Sequence, residues 1–147
     1  MTDTSALANH RLLLFYKGDI SALVLFAQHA NGSICFPEAL PALASMLEST
    51  SVQTDNVSLH PALLIQHINS QLQLEQDLLR HELGFKAHID TPDGIITVHL
   101  ARFTLLDPPH KLLQSRQCQL LTLPALRGRP PAEMDLLRRA YEHVMEG

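Results

Sequence analysis

Apolar residues along this chain fall into short blocks, and the length and ends of each block predict an element. RLLLFYK (11–17) is a continuous apolar run too short for a stable helix and closed by Gly18, which predicts a buried strand. DISALVLFAQHANG (19–32) fits two templates. As a helix it has Asp19 as N-cap, Ile20, Leu23, Val24 and Ala27 at i, i+3, i+4 and i+7, and Gly32 at the left-handed C-terminal position. As a strand it has Val24, Leu25 and Phe26 leading into an Asn31-Gly32 hairpin turn. The helix accounts for both ends at once and is the preferred expectation.

SICF (33–36) predicts a short strand, and PEALPALASMLES (37–49) a helix that begins in earnest near Pro41. The polar residues 49–56 read as a loop. HPALLIQHINSQLQ (60–73) starts a helix at Pro61, and EQDLLRHELGF (75–85) predicts a second, ended by Gly84 with Phe85 folding back onto Leu79. Beyond a hairpin at 85–103, LDPPHK (106–111) is a rigid turn, CQLLTL (118–123) a strand and RGRPP (127–131) a loop. The final helix carries Met134, Leu137, Tyr141 and Val144 as its apolar stripe. Together these elements predict one α+β domain over 1–147, with a few short strands, a β-hairpin in the C-terminal half and four to five helices.

In the hairpin, hydrophobic parity restricts the register. Phe85, Ala87 and Ile89 alternate with Lys86, His88 and Asp90, while Ile96, Val98 and Leu100 alternate with Ile95, Thr97 and His99. A one-residue slip would turn a strand's side chains to the other face, so opposed positions must be one odd and one even. A four-residue loop, Pro92 to Ile95, sets His88 across from His99; a two-residue loop sets Lys86 there instead. Pro92 cannot take the positive φ of a primed turn, which favours the longer loop.

Hydrophobic residues are 46% of the chain and charged residues only 18%, with 28 leucines among 147 residues. That leaves more apolar side chain than charge to cover it, and large exposed apolar patches mark interaction sites. The net charge of -4 opposes non-specific binding to nucleic acid. Only 102–129, with Arg102, Lys111, Arg116, Arg127 and Arg129 against Asp107, approaches a basic footprint, and its charges are scattered. The N-terminus lacks a basic region ahead of its apolar run, and the longest uncharged apolar stretch thereafter, Ile20 to Ala27, is far below the ~20 residues that span a bilayer. A cytoplasmic location follows as the expectation.

Candidate chemistry is sparse. His88 and His99, opposed on a hairpin, would bring two imidazoles within reach of one ion, with Asp90 on the same face and His110 or Cys118 as further ligands. His60 and His67 are seven apart, about 10 Å along a helix, too far to share an ion. His81-Glu82 is followed by Phe85 where a zinc-protease motif needs its second histidine. No phosphate-cradling glycine loop or nucleophile elbow occurs, and no cofactor is expected. Cys35, between a strand and a helix start, is placed where a helix dipole would lower a thiol pKa. RFTLLDPPH (102–110) ends a strand in a stiff Asp-Pro-Pro exit, suited to closing a fold or to presenting an epitope.

The expected function is therefore that of a small non-catalytic accessory or assembly factor. It would bind another protein, or itself as a homodimer, through a leucine-rich helix face within 60–83 or 131–146, with Leu64, Ile68, Leu72, Leu137 and Tyr141 as contacts. The alternative is a metal-dependent enzyme or metal carrier built on His88, His99, Asp90 and His110.

Overall fold

RLLLFYK has no period because both of its faces are buried. A computed structural model describes residues 9–19, 22–47 and 61–146. Leu12 to Tyr16 are at most 3% exposed, and they form the middle of β1 (His10–Lys17) near the centre of one mixed sheet. The other strands are β2 (Val24–His29), β3 (Ser45–Leu47), β4 (Leu79–Thr91), β5 (Gly94–Phe103) and β6 (Cys118–Leu121). Their order across the sheet is β3-β4-β5-β1-β2-β6, with β1 and β5 parallel and every other pair antiparallel.

Helices cover both faces. Leu12, Leu14 and Tyr16 of β1 pack with Leu64, Ile68 and Leu72 of α1 (Pro61–Leu72) and Leu113 of α2 (His110–Ser115). Leu13 and Phe15 pack on the opposite side with Leu136, Leu137, Ala140 and Val144 of α3 (Pro131–Glu146). A sheet buried twice needs apolar residues at consecutive positions, and this uses much of the leucine surplus internally.

The fold is α+β, but the described residues contain three α-helices, not the four to five expected. In 19–32 the strand prevails over the helix: Val24–His29 is β2, paired with β1 and β6, and the Asn31-Gly32 turn that follows, with Gly32 at φ +94° and its N–H donating to the His29 carbonyl at 2.8 Å, joins no two paired strands. Leu25 and Ala27 face α1 while Val24 and Phe26 face α3, so the run is continuous because both faces are buried; Ile20 lies outside the described residues and Leu23 is exposed. No helix forms over 37–47, because Ser45–Leu47, which the helix would have contained, pairs with His88–Asp90 as the sheet edge. SICF contributes only a bridge, Phe36 with Leu12, with N–H···O distances of 2.7 and 2.9 Å. The loop expected at 49–56 lies outside the described residues.

The expected helix over 75–85 is the start of β4. Leu79 pairs with Phe103 and Glu82 with Leu100, then the register shifts before resuming at Ala87 opposite Val98. Gly84, at φ +87°, sits in this long bulge. Leu79 therefore faces α1 and Phe85 faces α3, and the two do not fold onto each other. The hairpin takes the two-residue loop: Thr91 opposes Gly94, and His88 opposes Thr97, not His99. The strain of the unprimed turn is absorbed one residue later by Gly94 at φ +125°. Thr91 supports it, its hydroxyl donating to the Gly94 carbonyl at 2.6 Å and accepting from the Asp93 N–H at 3.3 Å. The turn expected at 106–111 ends earlier, because α2 begins at His110. Among the described residues no helix is long and apolar enough to cross a membrane.

Candidate functional site

Alternation along β5 sends Thr97, His99, Ala101 and Phe103 to the α1 side of the sheet. Leu12 of β1 aligns with His99, which puts His10 diagonally beside it on that face, and β4 places His81 opposite Ala101. Three strands thus bring three histidines together. His99 is 3% exposed; its ring stacks on His10 with centroids 5.7 Å apart and planes 14° apart, and His81 meets it edge-on at 6.0 Å. His99 Nε2 lies 3.5 Å from His10 Nδ1, at the outer limit of a hydrogen bond.

Burial, followed by the charges of His10, Lys86, His81 and His88, lowers the His99 pKa from 6.5 to about 4. His10 is lowered by burial and then by Lys86 and Arg11, and His88 by burial and Lys86. An imidazole that stays neutral down to about pH 4 is poorly matched to proton transfer near neutrality. The cluster is a set of rings around a buried His99 in the sheet-helix layer.

The structure brings the expected ligands together only in part: His88 lies diagonal to His99 on one sheet face, near enough for its charge to lower the His99 pKa. His88 faces Thr97, Asp90 faces Ile95, and His110 opens α2, which packs on β6 at the opposite edge of the sheet from β4. Among the described residues, no group of three or more His, Cys, Asp or Glu is arranged to hold a metal ion. His10 and His81 are absent from the expectation. His10 continues the alternation of Leu12, Leu14 and Tyr16 by one step, a legible signal, whereas His81 is hidden by the helical reading of 75–85.

On the α3 face, Cys35 is 1% exposed, and burial, reinforced by the charge of Glu133, pushes its thiol well above its ordinary pKa. No helix follows it to supply the expected dipole. Its surroundings are structural. Glu133 Oε1 accepts from the Ile34 N–H at 3.2 Å, and both carboxylate oxygens accept from Arg129 at 3.2 Å. Three of the five basic residues of 102–129 are similarly engaged, Arg129 with Glu133 and two others. Arg102 bonds Asp19 and the Lys17 carbonyl, and Arg116 bonds the Leu72 and Gln73 carbonyls that end α1.

Leu64, Ile68, Leu72 and Leu137 are at most 6% exposed in the chain's own core, and Tyr141 is half-buried against it. These helix faces are covered by the sheet. Exposed apolar side chains lie elsewhere. Of the seven large ones among the described residues, five belong to segments at one pole of the sheet: Leu23, Leu83, Leu105, Leu106 and Met145, at 39–82% exposure. β1 and β5 end at this pole, and β2 and β4 begin there. α3 ends there too, held by Lys17 Nζ donating to the Val144 carbonyl at 3.3 Å and by His143 Nε2 at 3.6 Å from Glu82.

Leu106, 82% exposed, is the most accessible of the seven, yet its backbone is fixed. The Tyr16 hydroxyl donates to its carbonyl. Thr104 anchors the preceding residues, its N–H donating to the Leu78 carbonyl and its hydroxyl to the Asp77 carbonyl, both at 2.9 Å. Pro108 and Pro109 stiffen the exit. A shallow groove of about 300 Å³ between β3 and α3, near the other end of the sheet, is lined by Ser45, Met46, Ala132, Asp135, Arg138 and Arg139, with Asp135 and Arg138 paired at 2.9 Å. The chain matches no protein-family model and no curated protein sequence.

Proposed function

We propose that this chain is a non-catalytic accessory or assembly factor that docks another protein on the apolar pole formed by Leu23, Leu83, Leu105, Leu106 and Met145. The observation that carries this reading is Leu106: a leucine 82% exposed on a backbone anchored from Tyr16 and, through Thr104, from 77–78. Ordering a loop normally costs free energy on association, and a loop already fixed by hydrogen bonds and two prolines avoids that cost. An exposed leucine entering a pocket contributes about 1.5–3 kcal/mol, and clustered anchors dominate binding energy. The leucine-rich helix faces are occupied by the sheet, so the pole supplies the docking surface.

Site-specific photo-crosslinking tests this. A benzophenone side chain at position 106 should give a discrete adduct in cells, lost on Leu83→Asp, while the same group at the exposed hairpin residue Asp93 should give none. Equal labelling from 93 and 106, insensitive to Leu83→Asp, contradicts the proposal.

A further inference from the structure

Two of the clustered histidines meet nitrogen to nitrogen. His10 opens β1 and His99 lies within β5, strands that pair in parallel, and the two positions are 89 residues apart in the chain. His99 Nε2 and His10 Nδ1 are 3.5 Å apart, and the ring planes differ by 14°. The 5.7 Å between centroids is close to that gap plus the two ring radii, so both nitrogens lie near the line of centres and point into the gap. The gap exceeds the roughly 2.7–3.2 Å of an ordinary hydrogen bond. Two nitrogens that share one metal ion, at bonds of about 2.0 Å, sit about 3.3 Å apart across a tetrahedral angle and about 4 Å apart across a straight one. The observed separation falls inside that span. Burial, and after it the charge of a neighbour, holds both imidazoles below their ordinary pKa, so their lone pairs are free for a metal near neutral pH.

We infer that His10 Nδ1 and His99 Nε2 form a two-coordinate site for a soft monovalent metal ion, the cuprous ion in a cell; the site is independent of the docking pole. Among the described residues no third His, Cys, Asp or Glu joins the pair in a metal-holding group, and a zinc site takes at least three protein ligands. A cuprous ion is satisfied by two ligands in line, the direction in which these nitrogens already point, and imidazole is among the ligands that suit copper. A straight bridge widens the gap by about 0.5 Å, which rotation of the half-buried His10 supplies. Charge selects in the same sense. Lys86 acts on both rings and Arg11 on His10, each disfavouring added positive charge, and a divalent ion meets twice the opposition that a monovalent one does. Entry is beside His10, because His99 is 3% exposed and closes the inner side. An ion held there ties the start of β1 to β5 and stabilises the folded chain by mass action.

Cuprous ion supplied to the full chain without oxygen, with ascorbate to hold its oxidation state and a chromophoric cuprous chelator as competitor, provides the test. The protein should withdraw one equivalent from the chelator, and X-ray absorption should show a cuprous centre with two nitrogen neighbours and no sulfur. His10→Gln should weaken binding at least about tenfold, while His110→Gln, in α2 beside the opposite sheet edge, should leave it unchanged. Silver ion, a redox-inert probe of the same charge, gives a readout that needs no variant: in the natural protein it should shift the ring-proton NMR signals of His10 and His99 and leave those of His29 and His110 in place. Sulfur neighbours in the absorption spectrum would assign the ion to Cys35 or Cys118 and overturn the inference. Equal affinity in His10→Gln, or no withdrawal from the chelator, overturns it as well. One equivalent of zinc bound by the natural protein and lost in His10→Gln overturns the choice of a monovalent ion.

Discussion

Replacing His99 by glutamine should remove a large part of the chain's sensitivity to acid. His99 is 3% exposed, and its pKa falls from 6.5 to about 4 on folding because burial, His10, Lys86, His81 and His88 all disfavour its charge. The unfolded chain takes up this proton below pH 6.5 and the folded chain does not until about pH 4, so acid favours unfolding across that window. Above pH 6.5 both states are neutral and the stability contribution is complete. One pKa unit is about 1.4 kcal/mol, so lowering the pH from about 7 to about 4.5 costs roughly 2.5 kcal/mol from His99 alone. Urea unfolding followed by circular dichroism at both pH values measures it. Glutamine lowers stability at pH 7 by disturbing the stack on His10, but the further loss on acidification should be smaller than in the natural protein by about 2 kcal/mol. His10 and His88, also lowered, keep part of the slope. Equal acid losses in the two proteins would refute the burial of His99 beside His10, His81 and Lys86.

Other substitutions probe the supports of the fold. Glu133→Ala leaves the Ile34 N–H and Arg129 without their shared acceptor at a site 4% exposed, and should cost about 2–4 kcal/mol in urea unfolding. Gly84→Ala forces a side chain into φ +87° with a Cβ 3.3 Å from the His143 ring, and should destabilise by about 1–2 kcal/mol. The Cys35 thiol, buried and raised in pKa, should resist alkylation in the native protein at pH 8 and react once urea unfolds it. Leu106→Asp should alter stability by less than about 0.5 kcal/mol, since its side chain is solvated in the free chain.

How much of this was legible depends on whether one face of an element or two was buried. α1 and α3 were readable because each presents a single stripe to the sheet, and the hairpin because Thr91-Pro92-Asp93-Gly94 interrupts two clean alternations. β2 was not, because Val24 to Ala27 are buried on alternate faces of a two-sided sheet and happen to match helical spacing. β4 was hidden by its bulge: Leu78 and Leu79 are consecutive and Gly84 interrupts the alternation, so the stretch before Phe85 imitates a helix with its stop. The hairpin register turned on Gly94, whose positive φ removes the objection that Pro92 raises to a short loop. The stacking partner of His99, His10, comes from β1, which pairs with β5 in parallel across eighty-odd residues of chain, a contact that local pattern does not contain. The leucine surplus pointed to interaction, but at helix faces that the sheet occupies. The exposed residues sit instead in the 102–110 stretch, flagged by its Asp-Pro-Pro exit, and at neighbouring chain turns.

Methyl NMR of leucine-labelled protein titrated with the partner recovered by crosslinking from position 106 tests the docking pole most directly, because exposed leucines occur both on it and off it. Methyl signals of Leu23, Leu83, Leu105 and Leu106 should shift in proportion to occupancy, while those of Leu43 and Leu63, at 76% and 52% exposure, stay in place. Shifts confined to Leu43 and Leu63, or spread evenly over all six, would contradict it.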